Sequence, residues 1–256
     1  MLNFFGDNFK YITERVNRII VDNNDGSFSA GSGFFIQGTN KFLTCLHVLS
    51  GKKLSELRID QVFIKTTGPT EHERLLSFLN TKVKQMTVQL LDGTQMKVSL
   101  KDFDEKYDIA IVELESTNER LPKGFKIDFK PSLQYGNEVS FCGYQYVPDY
   151  NAKQYPLAVN KGIVSAFLEI MICGEKYEHL QINSINLGGN SGAPLFKRRG
   201  RKVIGIINGN MNWGNDNVMI KDLTDNQVKP NSFRVPLSIA YATPINVLKD
   251  NTRIFD

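Results

Sequence analysis

The chain has 256 residues, 41% of them hydrophobic and 23% charged, with a formal charge of +4. That balance excludes a collagen-like or wholly disordered chain, and no apolar run reaches the length of a transmembrane helix. A folded, mildly basic protein with one large core or two small ones is expected.

The opening residues "MLNFFGDNFKYITERVNRII" carry an early acid and no uninterrupted apolar segment before a small-residue cleavage site, so no signal peptide is expected. Phe5, Phe9, Ile12, Val16 and Ile19 recur at intervals of three and four, which predicts a helix over about Asp7 to Ile20 within an N-terminal unit of residues 1–24. After the turn signal "DNNDG" the pattern changes to short apolar runs punctuated by glycine, proline and asparagine. "GSGFFIQG", "KFLTCLHVL", "QMTVQLLDG", "TQMKVSL" and "YDIAIVEL" are strand-length and rich in β-branched or aromatic residues. Asp92-Gly93 predicts a tight hairpin turn between two of them, through the positive φ angles that such a dipeptide supplies. Residues Glu71 to Lys84 read as a helical or irregular insertion packed through Leu75, Leu76 and Leu79.

Further along, "GNEVSFCGY", "GIVSAFLEIM", "HLQINSI", "APLF", "KVIGIING" and "FRVPLSIAYATPI" continue the strand pattern, and "INVLKDNTRIF" closes the chain with a short helix. The densest basic run, Lys197 to Lys202, lies between two apolar runs and contains a glycine, so it predicts a solvated hairpin tip. No aromatic residues interleave with it, and no nucleic-acid partner is expected. Many strands with few helices predict an all-β sandwich or barrel, not an alternating α/β sheet. The odd set Cys45, Cys142 and Cys173 lacks metal-type spacing, which predicts neither disulfides nor a bound metal and places the chain in the cytoplasm, away from membranes.

The stretch "INLGGNSGAPLF" spends three glycines around Ser191. A serine hydroxyl is a poor nucleophile at neutral pH and needs a contacting base and donors aimed at a developing oxyanion. Gly188 and Gly189 allow consecutive N–H groups to converge, and Gly192 leaves room beside the hydroxyl. A plain connecting turn would fit the same letters. Of the three histidines, His47 ends an apolar strand before a Ser-Gly turn, whereas His72 and His179 lie among charged neighbours and are read as solvated. Asp108 stands at the mouth of an apolar strand, where a carboxylate needs a partner; Asp102 and Asp104 sit in a more polar setting and are weaker candidates. Taken singly, His47 fits a packed core histidine and Asp108 fits a strand-start residue. The order His, Asp, Ser on an all-β pattern is what singles them out together.

"GSGFFI", "LTCLHVL", "YDIAIVEL", "LGGNSGAPLF", "VIGIING" and "YATPI" together resemble the trypsin/chymotrypsin-like serine peptidase family, in the disulfide-free branch that includes relatives of the HtrA proteases. The resemblance runs from about Gly26 to Val247. It implies a double antiparallel β-barrel, with residues 25–125 carrying His47 and Asp108 and residues 126–256 carrying Ser191. It implies His47 as general base, Asp108 as its orienting acid, Ser191 as nucleophile, and the N–H groups of Gly189 and Ser191 as the oxyanion hole. By position relative to Ser191, Ile185 is expected near the base of the specificity pocket, with Asn208, Gly209 and Asn210 along the substrate backbone.

The expected activity is cleavage of a protein or peptide substrate through an acyl-enzyme, with no cofactor. Asn190 stands where secreted relatives carry an aspartate that pairs with a newly cleaved N-terminus, so activation by such cleavage is not expected: the chain either folds active or is regulated by a protein partner. The competing readings are a binding module on the same scaffold and an esterase acting on small molecules.

Overall fold

The structure is a computed structural model that describes residues 3–51, 77, 79, 81–104, 106–116, 121–148, 153–172, 175–221 and 228–249. Helix α1 spans Asn3–Thr13, and strand β1 begins at Val16 and runs to Asn23. The helix expected over Asp7 to Ile20 therefore stops short, and residues 16–23 belong to the first barrel. The spacing of Val16 and Ile19 suits a helix, but burial along β1 follows a period of two through Asn17, Ile19, Val21 and Asn23, with Val16 buried as well. This segment is rich in Val and Ile, whose branched side chains favour a pleated surface over a helix. Pairing on both edges, with β2 and β4, decides it.

β2 (Phe28–Phe35), β3 (Lys41–Cys45), β4 (Val83–Gln89), β5 (Gln95–Asp104) and β6 (Ile109–Leu114) complete a closed barrel in the order β1-β2-β3-β6-β5-β4. The β4–β5 hairpin turns through Leu91, Asp92 and Gly93, with only Gly93 at positive φ, 89°. Leu90 N–H bonds the Thr94 carbonyl, and Gly93 N–H returns to the Leu90 carbonyl. The expected two-residue turn is thus a three-residue one closed by a left-handed glycine. Of the insertion read over Glu71 to Lys84, residues 77, 79, 81 and 82 are helical and Leu79 is buried, while Val83 and Lys84 already belong to β4. Leu75 and Leu76 lie outside the described residues.

The second barrel comprises β8 (Glu138–Tyr144), β11 (Leu157–Ile172), β12 (Glu175–Asn183), β13 (Pro194–Lys197), β14 (Lys202–Lys221) and β15 (Val228–Pro244). They run β13-β8-β11-β12-β15-β14, and a β13–β14 pairing closes the ring. The short strand β7 (Lys126–Ile127) lies parallel on β14, β9 (Val147–Pro148) pairs with β10 (Lys153–Gln154), and a 3-10 helix follows at Ile245–Leu248. The fold is the expected double antiparallel barrel. The basic run is a turn: Gly200 N–H reaches the Lys197 carbonyl, Arg199 sits at φ 58°, and Arg198 pairs with Glu138 at 2.8 Å.

One buried cluster runs from the first barrel into β13 and β14, and a second, around Phe141, Ile182 and Leu195, fills the second barrel. The fully buried Phe125 ring stands 5.9 Å from Phe34 of β2, 5.0 Å from Phe196 of β13 and 5.9 Å from Tyr11 of α1. Burying such a ring contributes about 1.5–3 kcal/mol, and each aromatic pair adds roughly 0.5–1.5. Among the described residues no helix is long and apolar enough to cross a membrane.

Candidate functional site

β3 ends at Cys45, two residues before His47. Leu46–Ser50 instead form the short helix α2, stopped by Gly51 in the left-handed conformation at φ 66°. Leu46, Val48, Leu49 and Ser50 are buried, so the packing of their neighbours turns the partly exposed His47 side chain outward. Helical rigidity, not strand rigidity, holds the imidazole at the edge.

Asp108 immediately precedes β6 with φ 55°. That region is strained for a residue with a Cβ, at about 1–3 kcal/mol, and aspartate is among the residues that tolerate it. The turn aims the carboxylate at α2. Its Oδ1 accepts the His47 backbone N–H at 2.9 Å, and its Oδ2 lies 2.6 Å from His47 Nδ1. The Asp108 carbonyl accepts Leu46 N–H at 3.2 Å, tying the two segments again. On the opposite side of the ring, Nε2 lies 2.8 Å from Ser191 Oγ. The three side chains chosen from sequence are in direct contact, across the junction of the barrels.

Asp102 and Asp104 are on β5, not in a polar loop. The strand's alternation carries Asp102 inward after Leu100, where Oδ1 accepts Phe103 N–H at 2.8 Å. Asp104 accepts Tyr107 N–H at 3.0 Å, and burial pushes its carboxyl above the usual range.

The Ser191 loop is bare where it must be. Gly189 and Gly192 have φ 92° and 89°; a Cβ on Gly189 would stand 2.3 Å from the Tyr144 carbonyl, and one on Gly192 2.0 Å from the Ser32 carbonyl. Only glycine fits either position. Gly192 N–H bonds the Ile207 carbonyl and Ile207 N–H the Ala193 carbonyl, which lays the loop beside β14 just before Asn208–Asn210.

Ile185 does not form a pocket base. Beyond β12 the alternation continues with Ile182, Ser184 and Asn186 inside, leaving Ile185 56% exposed on a surface hollow with Phe9, Val159 and Lys161. The inward residue is Asn186, whose Nδ2 donates to the Gly209 carbonyl at 2.7 Å and whose Oδ1 accepts Asn190 Nδ2 at 2.9 Å. The alternation of strand "HLQINSI" was the signal that could have assigned it.

Asn208 faces Thr243, donating to its hydroxyl at 2.8 Å, and Thr243 Oγ1 donates to the Tyr107 carbonyl at 3.0 Å, beside strained Asp108. His179 is not solvated: it is half-buried on β12, 3.5 Å from Asn208 Nδ2, and burial pushes it below the ordinary histidine range, opposed by its bond to the Ala242 carbonyl and by Asp108. Neither Thr243 nor His179 was legible, because β12, β15 and the Tyr107 turn meet only in the closed structure. His72 lies outside the described residues.

Cys45 Sγ, a His47 nitrogen and an Asp108 oxygen lie within 4.8 Å of one another. Burial, reinforced by Asp108, raises the Cys45 thiol well above its ordinary value, and Sγ donates to the Ile207 carbonyl at 3.3 Å. A protonated thiol is a poor metal ligand. The group reads as a small apolar support beneath His47.

A family described as the trypsin-like peptidase domain matches residues 31–206. Among solved structures, "HtrA-type protease AlgW with tripeptide" superimposes with a TM-score of 0.62 at 17% identity, covering 98% of this chain and 64% of that one. A serine-to-alanine variant of AlgW, also with tripeptide, gives 0.62 at 16% identity with the same coverage. The chain thus spans 64% of the length of these proteases. No match is found among curated protein sequences.

Proposed function

The chain belongs to the trypsin-like peptidase domain family, and on that premise we propose that it is a serine endopeptidase cutting protein or peptide substrates through an acyl-enzyme. The observation that carries this reading is the single imidazole bridging Asp108 and Ser191, at 2.6 and 2.8 Å.

Ser191 Oγ attacks the scissile carbonyl carbon while its proton passes to His47 Nε2. Asp108 accepts the Nδ1–H throughout, holding the tautomer in which Nε2 is free to take that proton, and stabilises the imidazolium. The carbonyl oxygen becomes an oxyanion facing the N–H groups of Gly189 and Ser191. As the intermediate collapses, His47 returns the proton to the leaving amine; water then repeats the sequence on the ester. No cofactor or metal enters this reaction. The substrate backbone runs beside Asn208, Gly209 and Asn210, the continuation of the β14 edge that Gly192 and Ala193 already bond. The tripeptides of the AlgW structures support a peptide ligand. The unpaired Cys45 and Cys142 support a cytoplasmic location.

A fluorophosphonate probe tests the reading. It is expected to label the wild type at Ser191, and Ser191→Ala is expected to lose both labelling and cleavage of a protein substrate. Cleavage that survives Ser191→Ala overturns it.

A further inference from the structure

The oxyanion hole depends on peptide planes pointing the right way, and four consecutive carbonyls of the loop are tied down. Tyr146 N–H holds the Gly188 carbonyl at 2.7 Å, the Ser32 hydroxyl holds that of Gly189 at 2.7 Å, Ala193 N–H holds that of Asn190 at 2.8 Å, and Ser32 N–H holds that of Ser191 at 2.8 Å. In a planar trans peptide the N–H points opposite to its carbonyl. Fixing the Gly188 and Asn190 carbonyls therefore fixes the N–H directions of Gly189 and Ser191.

Ser32 supplies two of the four ties and belongs to the other barrel. It is fully buried on β2. Its hydroxyl donates to the Gly189 carbonyl and accepts Tyr144 N–H at 2.8 Å, so one oxygen joins the loop to the end of β8. Its carbonyl accepts Thr44 Oγ1 at 2.8 Å, which fixes the Ser32 backbone in turn. On its other side the Gly189–Asn190 peptide is held only by the long 3.4 Å bond from Asn190 N–H to the Leu187 carbonyl.

Resting on the peptidase reading above, we propose that Ser32 is a positioning residue: its hydroxyl locks the Gly189–Asn190 peptide, the plane that links the two donor-bearing peptides, and so sets the Gly189 N–H relative to the Ser191 N–H. It touches no reacting atom. It acts through the Gly189 carbonyl.

The test compares Ser32→Ala with wild type by the rate of fluorophosphonate labelling at Ser191, which places a phosphoryl oxygen in the hole without needing a known peptide substrate. Loss of a whole oxyanion donor costs about 10²–10³ in rate, and loosening one is expected to cost about 10- to 100-fold. The His47 Nδ1–H proton resonance far downfield, and the pH at half-maximal labelling, are expected to stay as in wild type, because Ser32 does not touch His47 or Asp108. Ser32→Cys, which keeps a weaker donor of similar shape, should fall between the two and serves in its place if the alanine variant does not fold. Labelling of folded Ser32→Ala at the wild-type rate overturns this inference and leaves the peptidase reading standing. Slow labelling accompanied by loss of the downfield resonance also overturns it, since Ser32 would then merely support the fold. A wild type that does not label removes both.

Discussion

One carboxylate grips His47 twice: Asp108 Oδ1 accepts its main-chain N–H at 2.9 Å while Oδ2 lies 2.6 Å from its ring Nδ1. The first contact fixes where the residue starts and the second fixes how the ring is turned. An asparagine could keep the first bond through its carbonyl oxygen, but would present an N–H to Nδ1. The ring would then carry its proton on Nε2 and could not accept one from Ser191. Asp108→Asn is expected to fold normally and lower kcat by about 10⁴ with little change in KM; steady-state kinetics on any cleaved substrate checks it.

Glycines in the Ser191 loop should differ sharply in their tolerance of a methyl group. Gly192→Ala drives a Cβ to 2.0 Å from the Ser32 carbonyl at φ 89°, whereas a Cβ on Gly188 meets nothing within 4 Å. The first is expected to lower stability by more than about 2 kcal/mol from strain and overlap, and the second to stay within about 0.5. Urea denaturation of both variants measures the contrast.

His179 links stability to acidity. Its folded-state value lies below the ordinary 6.5, chiefly through burial, so the unfolded chain binds the proton more readily. Its contribution is fully present above the unfolded value and is lost as pH falls toward the folded one. His179→Gln is therefore expected to reduce the drop in urea midpoint between pH 7.5 and 5.5, and an unchanged drop would contradict the assignment.

The two described cysteines should be chemically quiet. Burial pushes Cys142 up to about 12 and Cys45 well above its ordinary value, and both are buried. Neither is expected to react with iodoacetamide at pH 8 in the native protein, and both should react in urea. Peptide mass mapping reads each site separately.

Much of the architecture was legible locally. Alternation over "TQMKVSL" and "YDIAIVEL" is a property of neighbouring residues, since successive side chains of a strand point to opposite faces. The same rule, carried past the end of β12, turns Ile185 outward and Asn186 inward. Gly189 adopts the positive φ expected of it, while Gly188 does not and Gly192, read only as leaving room beside the hydroxyl, does; without a Cβ a glycine can adopt what other residues cannot.

The sequence by itself thus determined the strands, the bare loop around Ser191 and the choice of His47, Asp108 and Ser191. It could not end α1 at Thr13, because Val16 and Ile19 continue the three-and-four spacing of Phe9 and Ile12, and only pairing with β2 and β4 makes that segment a strand. Nor could it bring Ser32 to Gly189, 157 positions away, or Thr243 to Tyr107, 136 positions away. Those contacts exist only because two closed barrels pack together through the buried cluster around Phe125. Local chemistry singled out the candidate groups, and the long-range packing that offsets the entropy of joining distant segments set their geometry.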